Sequence, residues 1–341
     1  MSFTHLLKSV KVHGRFFHFR RLTSSPSLVT DQQEGTAVLT PKPKKNIFSK
    51  SGVLDVSNIS RDSLIKVLVA SLLFKGDGLL VLSKPAGLSV SGKTKDGQFS
   101  LMDVMHDVAD GINSPNACLI SAPEKETSGI ILLAEDKMTA NKLNRDIVDA
   151  SKRSGVKRQY IGLTVGIPEH NQGSQLLHVG QEDIDEELMT VIKSDFSKAS
   201  LTRQDTKKTK MEYKVLEHNR QLNCALIEMW PQKAYKHQLQ VHSTSMLCCI
   251  LGDHLYSNRV QSVLGVPVLI DPLQAKPGPQ KLPKMLREAM NLTASKTANM
   301  PLHLHFHQLF IKRPAGDLHI TVPLPRYFQR SLQLLGLKMP T

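Results

Sequence analysis

The amino-acid sequence predicts an α+β fold built on a mixed, mostly antiparallel sheet that is flanked by helices and loops. Two observations lead to this prediction. Segments with a strand-like pattern outnumber helical ones, and the two kinds do not alternate regularly along the 341 residues. Regular alternation would instead indicate a doubly wound parallel sheet. Because 40% of the residues are hydrophobic, we interpret the chain as globular.

Two segments carry the start signals of helices. Ser60 is typical of an N-cap residue, and Leu64 and Leu68 follow it on one face. Asp136 is a second N-cap candidate, and Leu143 lies on the apolar face behind it. Apolar runs and alternating patterns predict the strands. These are 79–83, 129–134, 157–165, 211–217, 222–230, 302–312 and 318–322.

The chain is predicted to divide into four regions. They are a targeting segment (1–30), a polar linker (31–58), a folded domain (59–330) and a C-terminal tail (331–341). Within the domain, 167–210 is polar, and 260–300 holds several prolines and lysines. Both stretches are interpreted as insertions that form surface hairpins or loops.

The first 30 residues contain basic residues and no acidic one, since the first acid is Asp31. The basic residues are Lys8, Lys11, Arg15, Arg20 and Arg21. Apolar residues recur at helical spacing, namely Phe3, Leu6, Leu7 and Val10. An amphipathic, acid-free start followed by serines is typical of an organelle transit peptide. The alternative is a disordered basic arm that binds RNA.

Positive charge extends beyond this segment. The net charge is +14, and the five basic residues near the start explain only part of it. Such an excess indicates a polyanionic partner, either nucleic acid or an anionic membrane surface. No apolar run reaches the roughly 18 residues needed to span a bilayer. The four cysteines show no metal-ligand spacing, and we expect neither a metal nor another cofactor.

Five stretches of the sequence, taken in order, resemble the RluA family of pseudouridine synthases. Residues 79–88 resemble the family's strand followed by Lys-Pro-x-Gly, and 124–134 its catalytic loop with the strand behind it. The segments 225–228, 237–242 and 252–253 together resemble its Gly-Arg-x-His-Gln-Ile-Arg-Val-His motif and trailing Gly-Asp. Tyr160 and the C-terminal pair around His303 and Pro325 are the remaining matches.

The resemblance implies the pseudouridine synthase fold and isomerisation of uridine in a single-stranded or looped RNA target. It implies Glu124 and Tyr160 as catalytic residues, and it requires no metal or nucleotide cofactor. The residues expected to bind RNA are Lys84, Arg158, Lys233, Lys236 and Gln240. Together with the transit peptide, it implies a matrix protein that acts on mitochondrial mRNA or rRNA, with other mitochondrial RNA-processing proteins as further partners.

The sequence departs from the family pattern at its centre. Glu124 stands where the family has a catalytic Asp, and Ala122 and Pro123 replace the Arg-Leu before it. Tyr235 and Gln240 occupy the places of two arginines. Three functions therefore stay open: a synthase that uses Glu124, a former synthase that binds RNA as an assembly or stability factor, and a ribosome-associated structural protein without a pocket.

Overall fold

A computed structural model describes most of the chain beyond residue 52. The described residues are 9–12, 15–18, 53–92, 98–184, 187–193, 206–272 and 274–340. Most of the predicted targeting segment and the first part of the predicted linker lie outside these ranges. Among the described residues, no helix is both long enough and apolar enough to cross a membrane.

Within the described ranges, fourteen strands join in one sheet, and two more form a separate hairpin. The strands are β1 (Ser9–Val12), β2 (Arg15–His18), β3 (Leu72–Gly76), β4 (Leu79–Lys84), β5 (Cys118–Ser121), β6 (Ser128–Ala134), β7 (Val156–Val165), β8 (Gln172–Ile184), β9 (Glu187–Ile192), β10 (Lys207–Asn219), β11 (Cys224–Pro231), β12 (Cys249–Ile250), β13 (Val260–Val263), β14 (Val266–Leu269), β15 (Leu304–Ile311) and β16 (Leu318–Thr321). The separate hairpin is β13–β14.

The long path of the sheet runs β2-β1-β16-β15-β7-β11-β10-β8-β9. A branch formed by β6, β4, β3 and β5 joins it at β15. Strand β15 pairs parallel with β6 and antiparallel with β7 and β16. The other pairings in the described residues are antiparallel, which confirms the predicted mixed, mostly antiparallel sheet.

The described residues contain seven α-helices. They are α1 (Arg61–Ala70), α2 (Leu101–Gly111), α3 (Lys137–Lys152), α4 (Gln238–Ser245), α5 (Lys284–Ala289), α6 (Ala294–Ala298) and α7 (Arg326–Leu334). Both predicted N-caps are confirmed. Ser60 accepts a hydrogen bond from the N–H of Ser63 (3.3 Å), and Asp136 accepts one from Thr139 (2.8 Å).

Helices cover both faces of the sheet. On the branch, Leu68 of α1 and Val108 of α2 share a core with Leu82, while Leu143 of α3 packs in the core on the other face. On the long path, α7 packs over β7 and β11 on one face. Leu239 of α4 packs against the opposite face, where Tyr160 lies. The functional residues discussed below gather around α4.

Several predicted boundaries differ from the structure. The segment Ser9–Val12 is a strand paired with β16, whereas the apolar spacing through Val10 predicted a helix. The predicted linker is folded onto the domain at its end, because Leu54 is buried in the core with α1. The predicted C-terminal tail contains the end of α7 and the buried residues Leu335 and Leu337. The folded domain thus extends at both ends beyond 59–330.

The two predicted insertions contain regular structure. The first, 167–210, includes the long hairpin β8–β9, which extends the main sheet past β10. The second, 260–300, includes the hairpin β13–β14 and the short helices α5 and α6. The first insertion bears on function because β9 contacts the residues just before α4.

Gly129 in β6 offers a test of how tightly β6 and β15 approach each other. It has a φ of +128°, and an added Cβ would lie 2.3 Å from the carbonyl oxygen of Phe306. We expect Gly129→Ala to lower the free energy of unfolding, measured by urea denaturation, by about 3 kcal/mol or more, because a backbone clash adds to the strain of positive φ. Gly92 shares a positive φ (+101°) but has no atom within 4 Å of the added Cβ. The control Gly92→Ala should lose only about 1–2 kcal/mol. Equal losses in the two variants would contradict this account.

Candidate active site

The loop between β5 and β6 presents Glu124, and a buried lysine holds it in place. Lys84 is only 1% exposed, and its ammonium donates hydrogen bonds to the carbonyl oxygens of Pro85 (3.1 Å), Lys125 (2.8 Å) and Thr127 (3.0 Å). The N–H of Gly87 also donates to the Lys125 carbonyl (2.9 Å). The Lys-Pro-x-Gly turn therefore holds the loop in place through these hydrogen bonds.

Burial changes the acid–base behaviour of Lys84. It lowers the pKa of the ammonium to about 7, and the nearby Glu126 and Glu124 oppose this shift. The prediction that Lys84 contacts RNA does not fit this geometry, since the side chain is buried and its ammonium is occupied by three carbonyl oxygens of the protein. Lys84 instead sets the shape of the loop.

The Glu124 carboxylate lies at the start of α4. Its Oε1 accepts a hydrogen bond from the backbone N–H of His237 (2.9 Å), and its Oε2 lies 3.9 Å from Nε2 of the same residue. Partial removal from water raises the pKa of the carboxyl group, while the His237 N–H and the charges of Lys236 and Lys84 oppose the rise. The side chain is 41% exposed, so it remains open to a substrate.

Tyr160 is brought to Glu124 by a row of residues across three strands. Gly129 of β6 lies opposite Phe306 of β15, and Phe306 lies opposite Tyr160 of β7. The rings of Tyr160 and Phe306 are stacked, with centroids 4.7 Å apart. Burial raises the pKa of the Tyr160 phenol, Arg158 opposes the rise, and Glu124 adds to it. The three predicted residues Glu124, Arg158 and Tyr160 thus share one electrostatic neighbourhood.

Two of the predicted RNA-binding lysines lie just before α4. Lys233 and Lys236 are exposed, and the ammonium of Lys236 donates to the carbonyl of Leu188 in β9 (3.1 Å). Thr190 of β9 also donates its hydroxyl to the Lys236 carbonyl (2.7 Å). Strand β9 therefore fixes the basic segment beside Glu124.

Gln240 lies elsewhere than predicted. It is buried within α4, and its Nε2 donates a hydrogen bond to Oδ1 of Asp253 (3.3 Å). Asp253 also accepts the N–H groups of Leu255 and Tyr256 (both 3.1 Å), and burial raises its pKa to about 6. The prediction that Gln240 contacts RNA is wrong for this conformation, because the helix packs its side chain inward.

Two further residues contribute to the site, His237 and Tyr256, for which the sequence predicts no role. Nδ1 of His237 lies 2.8 Å from the hydroxyl of Tyr256, which also accepts the N–H of Thr190 (3.0 Å). The only signal in the sequence was the spacing of Tyr256 behind Gly252-Asp253. Such contacts between distant segments leave no local pattern.

Three histidines at alternating positions, one just before β15 and two within it, have partners inside the protein. His303 bonds to Ser331, His305 to Ser128, and His307 to the carbonyl of Val322. In the described ranges, no three His, Cys, Asp or Glu side chains are grouped so that they could hold a metal ion. These histidines therefore serve as internal hydrogen-bond partners.

Comparison with known proteins agrees with this geometry. Residues 78–245 match the family model described as RNA pseudouridylate synthase. The human (Homo sapiens) mitochondrial mRNA pseudouridine synthase RPUSD3 is 32% identical over 344 aligned positions, which cover 96% of each chain. The chain belongs to the RNA pseudouridylate synthase family. The family's members also include the cattle (Bos taurus) pseudouridylate synthase RPUSD4, mitochondrial, which is 29% identical over 82% of this chain and 72% of its own.

Solved structures of the pseudouridylate synthase family show the same fold. The human RNA pseudouridylate synthase domain containing 4 superposes with a TM-score of 0.63 at 29% identity, covering 82% of this chain and 98% of its own. The human RNA pseudouridylate synthase domain containing 1 superposes with a TM-score of 0.50 at 17% identity, covering 76% of this chain and 85% of its own. The second likeness concerns the fold alone.

Lys84 makes the stability of this synthase-family domain depend on pH. Between pH 7 and about 10.4 the unfolded chain carries the Lys84 proton and much of the folded chain does not, so raising the pH favours the folded state. We expect the unfolding free energy of the wild type to rise relative to Lys84→Met across this range, with a slope of at most about 1.4 kcal/mol per pH unit. Urea denaturation from pH 7 to 10 measures it, with Lys75→Met as a surface control. A constant difference between the wild type and Lys84→Met would contradict the assignment.

Proposed function

We propose that this chain isomerises uridine to pseudouridine in mitochondrial RNA, with Glu124 as the catalytic carboxylate and Tyr160 against the base. The observation that carries the proposal is the strand register that sets Tyr160 across β15 from β6, the strand that directly follows the Glu124 loop. Family membership supports the reaction, and the mitochondrial names of the relatives support the compartment. We place the protein in the matrix, where mitochondrial mRNA and rRNA mature.

The reaction exchanges one bond to the ribose for another. The bond from N1 of uracil to C1′ breaks, the base turns, and a bond from C5 to C1′ forms while the C5 proton leaves and N1 gains one. A carboxylate at the ribose can serve as nucleophile or general base. Glu124 meets this need, because its pKa is raised, which makes the ionised form a stronger base. Tyr160, held by Phe306, offers a flat surface for the flipped base.

The target uridine must leave its stack before it can reach Glu124. This costs a few kcal/mol and is offset by contacts between the protein and the RNA backbone. Arg158 near Tyr160 and Lys236 near Glu124 supply positive charge to the site, and the exposed Lys233 lies three residues before Lys236. We assign phosphate contacts to these three side chains.

A second function is favoured by one observation. Among the described residues, Glu124 has no arginine partner, and Gln240 is turned toward Asp253. A carboxylate without a guanidinium fork is held less firmly, and misplacement of about 1 Å can cost roughly 100-fold in rate. On this alternative the domain binds mitochondrial RNA as an assembly or stability factor without isomerising it.

Release of tritium from RNA separates the two functions. The substrate is a pool of mitochondrial messenger and ribosomal transcripts whose uridines carry tritium at carbon 5. We expect the purified wild type to release tritium and Glu124→Gln to lose at least about 100-fold of that rate, because the amide can neither attack nor accept a proton. Binding of the same RNA should persist in Glu124→Gln.

The matched control is Glu126→Gln, which removes one carboxylate from the same loop. Glu126 pairs with Lys125 at 3.5 Å and should be dispensable for release. Salt-sensitive RNA binding without any release by the wild type would favour the alternative. Equal rates of tritium release by the wild type and Glu124→Gln would contradict the assignment of Glu124 as the catalytic carboxylate.

A further inference from the structure

Among the described residues Glu124 has no arginine partner, and the nearest nitrogen groups at its carboxylate belong to His237. The backbone N–H of His237 donates to Oε1 (2.9 Å), and the ring nitrogen Nε2 lies 3.9 Å from Oε2. One residue thus reaches both oxygens of the carboxylate, as a bidentate arginine would. The longer distance exceeds a hydrogen bond by about 1 Å, and such contacts often tighten only when substrate binds.

The ring of His237 is held from behind. Its Nδ1 lies 2.8 Å from the hydroxyl of Tyr256, and the two rings meet edge to face with centroids 5.5 Å apart. Tyr256 is fully buried, and its hydroxyl also accepts the N–H of Thr190 (3.0 Å). The guanidinium of Arg259 lies over the ring of Tyr256, 5.0 Å from its centroid. Tyr256 is therefore fixed on several sides.

This arrangement selects one tautomer of His237. The Thr190 N–H occupies one lone pair of the Tyr256 hydroxyl, whose own proton can be given to Nδ1. Nδ1 then accepts, so Nε2 carries the ring proton and points it toward the Glu124 carboxylate. The opposite tautomer would place a lone pair against a negative charge. Burial and the neighbouring Lys236 lower the pKa of His237 to about 4, so the ring is neutral at physiological pH.

The backbone conformation of His237 indicates that the imidazole matters. Its φ is +53°, in the left-handed region that glycine adopts most easily. A glycine would start α4 there with less strain, but it would remove both contacts of the ring. The residue thus keeps a strained conformation in which its N–H and its ring face the same carboxylate.

We propose that His237 is the positioning residue for Glu124, whose carboxylate has no arginine partner within the described part of the chain, and that Tyr256 sets the tautomer that this task needs. The inference rests on the proposed function, because it assigns a role within the same reaction. It adds a three-residue chain, from Tyr256 through His237 to Glu124, in which a neutral donor orients the carboxylate.

The first test reads the tautomer without any activity. Long-range proton–nitrogen correlation spectra of the ¹⁵N-labelled full chain, with His237→Gln to assign the signals, should show the proton on Nε2. In Tyr256→Phe the Nδ1–H form should appear. Tyr213 is a buried tyrosine on β10, away from this chain of contacts, and Tyr213→Phe should leave the His237 signals unchanged. An Nδ1–H tautomer in the wild type would overturn the inference.

The second test compares two replacements of similar length and equal backbone strain. His237→Gln keeps an N–H near the position of Nε2, whereas His237→Met keeps none. With the tritiated transcript pool, His237→Met should lose about 100-fold in kcat at unchanged RNA affinity, because orientation and not binding is lost. His237→Gln should recover most of that loss. Circular dichroism establishes that both variants are folded.

The outcomes of the two proposals can be told apart. Release by the wild type that depends on Glu124 but is unaltered in His237→Met would overturn the role of His237 alone. Release that does not depend on Glu124 would overturn the proposed carboxylate. Without any release by the wild type, the nuclear magnetic resonance test still decides, because it reads the position of the ring proton on His237 and requires no turnover.

Discussion

The buried ammonium of Lys84 is the constraint on which the candidate site depends. A cation that is removed from water must be surrounded by acceptors, and here the acceptors are the carbonyl oxygens of Pro85, Lys125 and Thr127. Two of these belong to the loop that follows Glu124. Because their carbonyls turn inward to the lysine, the loop follows one path, and the Glu124 side chain is left facing α4.

The sheet transmits this placement to the second predicted catalytic residue. Directly after the loop, Ser128 and Gly129 pair in parallel with β15, whose Phe306 lies opposite Tyr160 on its other side. A single strand therefore sets the separation between the loop and Tyr160. Gly129 is required because the backbones approach too closely for a Cβ. Sites built in this way on paired strands are held more rigidly than sites on loops alone.

Local patterns in the sequence predicted much of the fold. The caps at Ser60 and Asp136 and seven of the sixteen described strands could be found because each leaves a signal within a few residues. Helix α4 could not, since nearly all of its side chains are buried and it has no polar face to set a period. The C-terminal end was also missed, because Leu335 and Leu337 are recognised as core only once α7 has packed.

The candidate site was predictable only where a residue holds a place in an ordered motif. Glu124 and Tyr160 were found by their positions in the ordered motifs, but the partners of Lys84 and the contacts of His237 join segments far apart in the chain. The family resemblance implied RNA-contacting roles for Lys84 and Gln240. Burial decided otherwise in both cases, and burial depends on the tertiary structure.

The pair formed by Gln240 and Asp253 has a consequence for how this chain could change. Asp253 is fully buried, and among the described residues its Oδ2 has no hydrogen-bond partner. The resembled family keeps an arginine and an aspartate at these two places, whereas here the Gln240 amide nitrogen lies 3.3 Å from Oδ1. An arginine introduced at position 240 would therefore be drawn to this buried carboxylate behind α4. It would not by itself supply Glu124 with a guanidinium partner.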